Sequence, residues 1–307
     1  MIAFVLRRLF VHGLAIMFLV TATVFFVTRM LTDPVRAMLP QTATQADYDQ
    51  LEHAIGMDQP ILSQFVDFLA GLVTLDFGIS YWTGQPAMEV VLERLPATFQ
   101  LVAVSMAMSL LLFAPIGVLA SLRPGGRLDR FLVTMSLFGV SAPQFWLGAM
   151  LIWLFSLQLG WLPTSGAGTP AHIVLPALTL ALTSGGRIAQ ITRSTLIDQF
   201  QMPYVTTLTA KGLSTPSILL RHVLRNAMVP IVTVSMFELA YALTGYAVIV
   251  ETVFSWPGIG RLAVQAVTQR DLILLQALVC VCALLVVVAN IVADLLYKAI
   301  DPRIKLA

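Results

Sequence analysis

The sequence predicts an all-α membrane protein, first from its composition and then from its long uncharged runs. Of the 307 residues, 58% are hydrophobic and only 11% are charged, and the mean hydropathy of +0.87 is far above that of a soluble domain. Uncharged runs extend between Arg94 and Arg123 and between Asp271 and Asp294, and each is longer than the roughly 20 residues that cross a bilayer as a helix. Because an unpaired backbone amide in lipid costs several kcal/mol and the runs show no period-2 alternation, they predict helices rather than a barrel.

Six membrane-spanning helices are predicted, near residues 9–30, 97–121, 131–157, 173–194, 226–249 and 273–296. The fourth is interrupted by Gly185, Gly186 and Arg187. The first is too long for the apolar region of a signal peptide and lacks a cleavage site, which predicts a retained anchor. Residues 1–96 then form an N-terminal helix with an external segment. Residues 97–307 form a five-helix core that contains a long loop at 195–226.

The positions of the basic residues predict the orientation. Lys and Arg near membrane ends are retained on the cytoplasmic side, and one side collects Arg7, Arg8, Arg123, Arg127, Arg130, Arg187, Arg193, Lys211, Arg221, Arg225, Lys298, Arg303 and Lys305. The opposite side collects most of the acids. Both termini are therefore expected in the cytoplasm. The net charge of +2 conceals this asymmetry and does not indicate binding to nucleic acid, so membrane lipid is the expected surroundings.

The sequence offers no sign of catalysis or metal binding. Cys280 and Cys282 both lie in the last span and the four histidines are scattered, so neither a disulfide framework nor a metal site is expected. No catalytic arrangement of Ser-His-Asp, paired carboxylates or Cys-His is found. The phosphate-binding motif G-x-x-x-x-G-K-[ST] is also missing from the sequence, so energy for any transport must come from a partner or from a gradient.

The loop at 195–226 is the most informative stretch. It is basic and moderately hydrophobic, with helical periodicity on both sides of Gly212. Gly212 is expected to end a first helix in the left-handed conformation, and Ser214 with Pro216 to start a second. This helix, turn and helix would project from the membrane. Such a design favours binding of a partner over a simple connection between spans.

Glu238 is the one acid deep within a predicted span. A charge there costs about 2.5 to 3.5 kcal/mol on insertion scales, so Glu238 should face protein or water. Pairing with a polar neighbour and a role in a pore both remain open. Pro257 and Gly258 predict a turn, and the amphipathic residues after them indicate either an outer gate helix or interfacial packing.

Several motifs together resemble the permeases of binding-protein-dependent importers. They are Leu95-Pro96-Ala97-Thr98, Ala210-Lys211-Gly212-Leu213, the stretch from Arg221 to Pro230, the stretch from Glu251 to Leu262, and Asp301-Pro302-Arg303. Their order and spacing are similar to those of the dipeptide, oligopeptide and nickel branch of the ATP-binding-cassette (ABC) importers. The likeness covers the whole chain. Within the loop, Pro203, Thr206 and Thr209 stand where the family usually carries charged residues.

The resemblance implies a transport complex of several subunits in the bacterial inner membrane. This chain would pair with a second, related permease, with two cytoplasmic ATPase subunits that bind ATP and Mg, and with an external solute-binding protein that delivers di- or oligopeptides or similar small solutes. This chain itself would need no cofactor and would not be an enzyme. The residues expected to couple it to the ATPases are Tyr204, Ala210, Lys211, Gly212, Leu213, Ile218, Leu219 and Arg221. Leu213, Ile218 and Leu219 would supply apolar contact there, and Lys211 and Arg221 charge. The pore or gate candidates are Glu238, Glu251, Phe254, Trp256 and Pro257.

A gradient-driven secondary transporter is the alternative. Such folds usually show inverted repeats, broken helices and several charges within the membrane, whereas this sequence offers chiefly Glu238. Co-purification distinguishes the two, because a permease subunit should bring ATPases and a second permease with it and a secondary carrier should not.

Overall fold

The structure is a computed structural model that describes residues 13–31, 35–36, 39, 42–54 and 56–300. Regular structure in these ranges is helical, apart from one antiparallel bridge between Ile79 and Pro86. The predicted all-α class is therefore confirmed. The predicted cytoplasmic charges at Arg7, Arg8, Arg303 and Lys305 lie outside the described residues, as does the motif Asp301-Pro302-Arg303.

The described helices are α1 (Leu14–Leu31), α2 (Gln45–Ala54), α3 (Ile61–Thr74), α4 (Ala87–Ser121), α5 (Arg127–Ser141), α6 (Gln144–Gln158), α7 (Val174–Phe200), α8 (Pro203–Ala210), α9 (Thr215–Val253), α10 (Ile259–Thr268) and α11 (Leu272–Ile300). Within the described residues, α4, α9 and α11 are long and apolar enough to cross a membrane, and α5 with α6 forms a broken fourth span. Helix α7 matches the predicted span at 173–194, but Arg187 and Gln190 lower its hydropathy. Helix α1 covers part of the predicted span at 9–30, the rest of which lies outside the described residues.

Three predicted spans differ from the observed helices. The straight span expected at 131–157 is wrong, because Ala142 and Pro143 are extended, with ψ of 135° and 134°, and the chain bends there by 108°. The residue before a proline avoids the helical region, which explains the break. Helix α4 begins at Ala87, ten residues before the predicted start at 97, and encloses Pro96. Helix α9 begins at Thr215 instead of at 226.

The chain forms two compact units. The first contains Met1–Thr98 and Pro257–Val287, and the second contains Phe99–Trp256 and Val288–Ala307. Residues 257–287, assigned from the sequence to the core region, thus pack with the N-terminal part. The predicted division into 1–96 and 97–307 stays a prediction.

The first unit has an apolar core where α4 and α10 meet α11. Val91, Leu262 and Leu274 are buried there together. Asp271 is 1% exposed and accepts hydrogen bonds from the Ser80 hydroxyl (2.6 Å), the Trp82 N–H (3.1 Å) and the Leu274 N–H (3.0 Å). It therefore caps the start of α11 and fixes the loop before α4 to it.

Helix α3 packs along α1 through aromatic rings. The Phe65 ring centroid lies 5.2 Å from that of Phe25 and 6.1 Å from that of Phe18. The Phe68 centroid lies 5.3 Å from that of Phe25. The external segment is thus attached to the side of the first predicted span through a row of phenylalanines, since aromatic pairs add to the energy of apolar burial.

Helix α7 is the centre of the second unit, and glycines let its neighbours approach it closely. A Cβ at Gly117 of α4 would lie 2.4 Å from the Ala189 carbonyl oxygen, and one at Gly139 of α5 would lie 2.4 Å from the Leu182 carbonyl oxygen. Backbones this close exclude any larger residue. Small residues at helix contacts are typical of packing within membranes, where dispersion forces hold the helices together.

Candidate coupling segment and interior ion pair

The coupling segment, residues 201–221, connects α7 to α9 and contains α8. Helix α8 ends in a Schellman turn: the Gly212 N–H donates to the Thr209 carbonyl (2.9 Å) and the Leu213 N–H donates to the Leu208 carbonyl (3.2 Å). Gly212 has a φ of 81°, so the predicted left-handed residue is confirmed. No other group lies within 4 Å of a Cβ built at Gly212. The requirement for glycine there is therefore one of backbone conformation and not of space.

The second predicted helix of the segment does not stand alone. Ser214 occupies the N-cap position and Pro216 the first turn, as predicted, although the Ser214 side chain makes no capping hydrogen bond. From Thr215 the helix continues through a π-helical turn at Leu219–Val223 into the long helix α9. Only α8 projects as a separate element. A displacement of α8 would therefore act directly on a helix that enters the membrane.

Two apolar residues of the segment are buried within the chain. Ile218 is 3% and Leu219 is 7% exposed, and both pack with Leu196 of α7 and Val223 of α9. Little of either side chain is therefore exposed, and their predicted contact with an ATPase stays a prediction. Leu213 packs half-buried against the same cluster. The cluster fixes α8 to both helices that it connects.

Tyr204 is also half-buried against this cluster, and its hydroxyl donates to Gln199 Oε1 (3.0 Å). The surface of the segment is formed by other residues. Of the predicted coupling residues, Ala210, Lys211, Gly212 and Arg221 are exposed, as are Pro203, Thr206 and Thr209, where the family's charges are replaced.

Two large apolar side chains were missed by the sequence analysis. Leu220 is 67% and Met202 is 43% exposed. Leu220 lies in the π-helical turn and is exposed, whereas Ile218 and Leu219 before it are buried. Helical periodicity in the sequence identifies an apolar stretch but does not say which of its residues pack against the rest of the chain.

Glu238 is paired within the second unit. It is buried on α9, and its Oε1 lies 3.2 Å from Nη1 of Arg187 on α7. The Arg187 guanidinium also donates to the Tyr246 hydroxyl (3.1 Å) and lies 5.5 Å from the centroid of that ring. The polar neighbour left open for Glu238 is therefore Arg187. Arg187 lies midway along α7, and its assignment to the cytoplasmic membrane end stays a prediction.

Further polar groups of α7 accompany the pair. Thr183, Arg187 and Gln190 recur at helical spacing, and both Thr183 Oγ1 and Gln190 Nε2 are buried without a hydrogen-bond partner among the described residues. Residues three and four apart share one helix face. This polar stripe was missed, although its signal is present in the sequence as three polar residues spaced by four and three.

A second ion pair stabilises the other end of α7. Asp129 of α5 is 3% exposed and accepts from Nη2 of Arg193 (2.7 Å) and from the Gly125 N–H (2.8 Å). Arg193 also donates through Nε to the other oxygen of the carboxylate. This bidentate pair connects α7 to the turn between α4 and α5.

The gate candidates of the second unit are buried in the chain. Glu251, Phe254 and Trp256 are 0%, 1% and 4% exposed, and the Phe254 carbonyl accepts from the Gly166 N–H of the loop after α6 (2.8 Å). These residues fix the end of α9 and its loop contact. Pro257 is half-buried and precedes α10. Whether any of the four acts as a gate stays a prediction.

The proteins that are similar to this chain in sequence are membrane components of transport systems. A family model described as "Binding-protein-dependent transport system inner membrane component" matches residues 113–306, and the model of the N-terminal part of such components matches residues 1–102. The oligopeptide transport system permease protein AppB of Bacillus subtilis is 34% identical over 99% of this chain and 100% of its own. The glutathione transport system permease protein GsiC of Escherichia coli K12 is 36% identical over 99% of both chains.

Solved structures are similar in fold. The MetNI methionine ABC transporter in an inward-facing conformation matches with a TM-score of 0.57 at 19% identity, over 69% of this chain and 97% of that one. An amino acid ABC transporter solved with histidines matches with a TM-score of 0.55 at 16% identity, over 69% and 94% of the two chains.

Proposed function

The chain belongs to the family of binding-protein-dependent transport system inner membrane components, and on this premise we propose that it forms half of the translocation pathway of an ATP-driven importer of di- or oligopeptides. It is a multi-pass permease subunit of the inner membrane. The peptide cargo is supported by relatives such as the oligopeptide permease AppB and the probable peptide ABC transporter permease y4tP of Sinorhizobium fredii, which is 37% identical over 98% of this chain. The glutathione permease GsiC extends the cargo class to a small peptide-like solute.

The proposed partners follow from this role. A second related permease completes the pathway, two cytoplasmic ATPase subunits bind ATP and Mg, and an external solute-binding protein delivers the cargo. Both termini of this chain lie in the cytoplasm. The coupling segment then faces the cytoplasm, with Lys211, Arg221 and the exposed apolar side chains Met202 and Leu220 available to the ATPases.

One observation carries the mechanism: the coupling segment joins the same two helices that hold the interior ion pair. Helix α7 carries Arg187 and ends where the segment begins, and α9 carries Glu238 and begins at Thr215, within the segment. The buried cluster around Leu196 and Ile218 makes the connection stiff, because a close-packed core transmits displacement rather than absorbing it.

Movement of the ATPases would therefore shift α8 and, through the cluster, move α7 against α9. Such a shift changes the separation of Arg187 and Glu238, whose attraction depends steeply on distance in a medium of low dielectric. The pair thus provides two arrangements of the helices, one closed by the ion pair and one with it separated. Alternation between these two arrangements would expose and cover the polar stripe of α7.

Reconstitution tests this function. The chain, co-expressed with the products of its neighbouring coding sequences, should co-purify with ATPases and a second permease. Proteoliposomes of the complex should accumulate a radiolabelled tripeptide only when ATP is inside the ATPase-facing compartment and loaded binding protein is on the other side. Uptake that follows an ion gradient without ATP would instead show a secondary transporter.

A further inference from the structure

The first unit contains a cavity of about 370 Å³ at the adjoining ends of α1 and α11. Phe25 and Thr28 of α1, Asp67 and Phe68 of α3, and Gln276 of α11 contribute to its walls. In the proposed orientation this cavity opens on the external side. Its volume is in the range of sites for small ligands and suits one or two amino-acid residues.

The charged groups of this cavity are carboxylates. The carboxylates of Asp67 and Asp76 line it, and among the described residues no Lys, Arg or His side chain does. Gln64 forms part of the wall. Its Nε2 donates to the Met57 carbonyl (2.9 Å) and the Gln59 carbonyl (2.8 Å), which fixes the amide, while its Oε1 is buried without a partner in the described part of the chain.

The apolar wall is aromatic. Phe25 and Phe68 have ring centroids 5.3 Å apart, and Phe68 and Phe77 have centroids 6.1 Å apart. Tyr81 completes this wall. Aromatic rings attract organic cations through their negative faces, and carboxylates bind ammonium groups through charge-assisted hydrogen bonds.

We propose that this cavity binds the amino-terminal ammonium group of a peptide. The proposal rests on the proposed function for the choice of a peptide over another organic ammonium. Two carboxylates and an aromatic wall favour a cationic donor, and the same two negative charges repel the carboxylate end. The cavity would therefore hold a peptide by its amino end and let its carboxyl end point outwards. This amino-end selectivity would belong to the permease itself and not to the solute-binding protein.

Calorimetric titration of the purified importer complex in lipid nanodiscs, without ATP and without the binding protein, tests the site. The probes are tri-alanine and N-acetyl-tri-alanine, which differ at the amino end. Tri-alanine is expected to bind, and the acetylated peptide to bind about tenfold more weakly or not at all. Asp67→Asn, which keeps size and hydrogen bonding, should weaken tri-alanine binding by about tenfold. Asp49→Asn is the matched control, since Asp49 is an exposed acid of α2 that does not line the cavity, and it should change nothing.

Equal affinity for the two peptides, failure of both to bind, or unchanged affinity in Asp67→Asn would each overturn the assignment. It would also be overturned if Asp67→Asn weakened only the association of the solute-binding protein, because the carboxylate would then serve a protein contact. The outcomes separate this site from the proposed function. ATP-driven peptide uptake without amino-end-dependent binding removes the cavity site alone, and amino-end-dependent binding without ATP-driven uptake removes the proposed function alone.

Discussion

Arg187 of α7 and Glu238 of α9 form an ion pair with Nη1 and Oε1 3.2 Å apart, between the two helices that the coupling segment joins. The Glu238 side chain is 4% exposed and that of Arg187 is 32% exposed. The acid is thus buried while the base retains some access to its surroundings. Isolation of a charge in the membrane is costly, and a partner lowers that cost. The pair accounts for an acid in the middle of an otherwise apolar helix.

Glu238→Gln tests whether the pair serves transport or only structure. The amide keeps the size of the side chain but leaves Arg187 without a counter-charge. A fully buried pair loses 3–5 kcal/mol when one partner is removed, and partial exposure of Arg187 reduces this to about 1–2 kcal/mol. We expect normal assembly, a small decrease in thermal stability and at least a several-fold decrease in ATP-driven uptake.

The double variant Arg187→Gln/Glu238→Gln is the control for this pair. It should recover most of the stability lost in Glu238→Gln, because no charge is then left unpaired. Uptake should remain low if alternation of the ion pair drives the pathway. Normal uptake in both variants, with normal assembly, would leave the pair a structural role only.

Asp129→Ala should destabilise the complex, because it leaves Arg193 partly buried without its bidentate partner and removes the acceptor of the Gly125 N–H. The expected loss is about 2–3 kcal/mol, since Arg193 is 27% exposed and part of its charge is screened. Thermal unfolding of the purified complex, followed by intrinsic fluorescence, gives the measurement. Asp198→Ala, at an exposed position of α7, should change stability by less than about 0.5 kcal/mol. Equal stability of the two variants would mean that the Asp129 pair is not stabilising.

Much of the fold could be predicted, because membrane helices need long apolar runs and each predicted span overlaps a described helix, although the span at 131–157 is broken in two. Pro143 is a signal for the break after Ala142, but the apolar run on both sides of it favoured one continuous span. The partner of Glu238 could not be predicted, because α7 and α9 become neighbours only through tertiary packing. In the sequence, Arg187 contributed only to the positive-inside pattern, and nothing there indicated that it pairs with Glu238.

In the coupling segment, too, local features could be predicted from the sequence and tertiary contacts could not. Gly212 was predictable because a helix that ends in a turn needs a left-handed residue, and that requirement is local. The burial of Ile218 and the exposure of Leu220 were not predictable, because they depend on which face of the helix packs against α7. Sequence periodicity identifies an apolar segment, but which of its faces meets the rest of the chain depends on tertiary packing.

Leu220→Asp and Ile218→Asp should therefore fail in different ways. Leu220 is 67% exposed, so Asp there is solvated in the free chain and should leave insertion intact while weakening ATPase retention several-fold. Ile218 is buried, and a carboxylate without a partner at that position should cost several kcal/mol and lower the amount of folded chain. Leu75→Asp, at a 56% exposed leucine after α3, should affect neither ATPase retention nor insertion. Full retention of ATPases by the Leu220 variant would exclude this side chain from the docking surface.

The orientation can be measured by cysteine labelling in a Cys280→Ala/Cys282→Ala background. Ala46 and Ser214 are both exposed and make no side-chain hydrogen bond that a substitution would remove. A membrane-impermeant maleimide should label Ala46→Cys in intact spheroplasts and Ser214→Cys only after lysis. Tags should likewise be accessible from outside at Gly166 and from inside at Gly125 and at the C-terminus. A C-terminus accessible from outside would contradict the six-span orientation.

Gly212→Val tests coupling through the turn after α8. Since no group lies within 4 Å of the built Cβ, the substitution adds no clash. Its cost is that of a β-branched residue in the left-handed region, on the order of 1–2 kcal/mol. That is too little to disturb insertion but enough to change the angle at which the eight-residue helix α8 leaves the turn. We expect an inserted permease with reduced ATPase retention, or with reduced stimulation of ATP hydrolysis by loaded binding protein.

Gly84→Val is the matched control, because Gly84 also has a positive φ, 68°, and free space around its Cβ, but lies in the loop before α4. It carries the same conformational cost away from the coupling segment, so ATPase retention and stimulated hydrolysis should stay at wild-type levels. Gly212→Asn should fall between the wild type and Gly212→Val, because asparagine tolerates the left-handed region better than valine does. If Gly212→Val and Gly84→Val behaved alike in all three measurements, the turn would have no specific part in coupling, and the contact with the ATPases would have to be sought elsewhere on the chain.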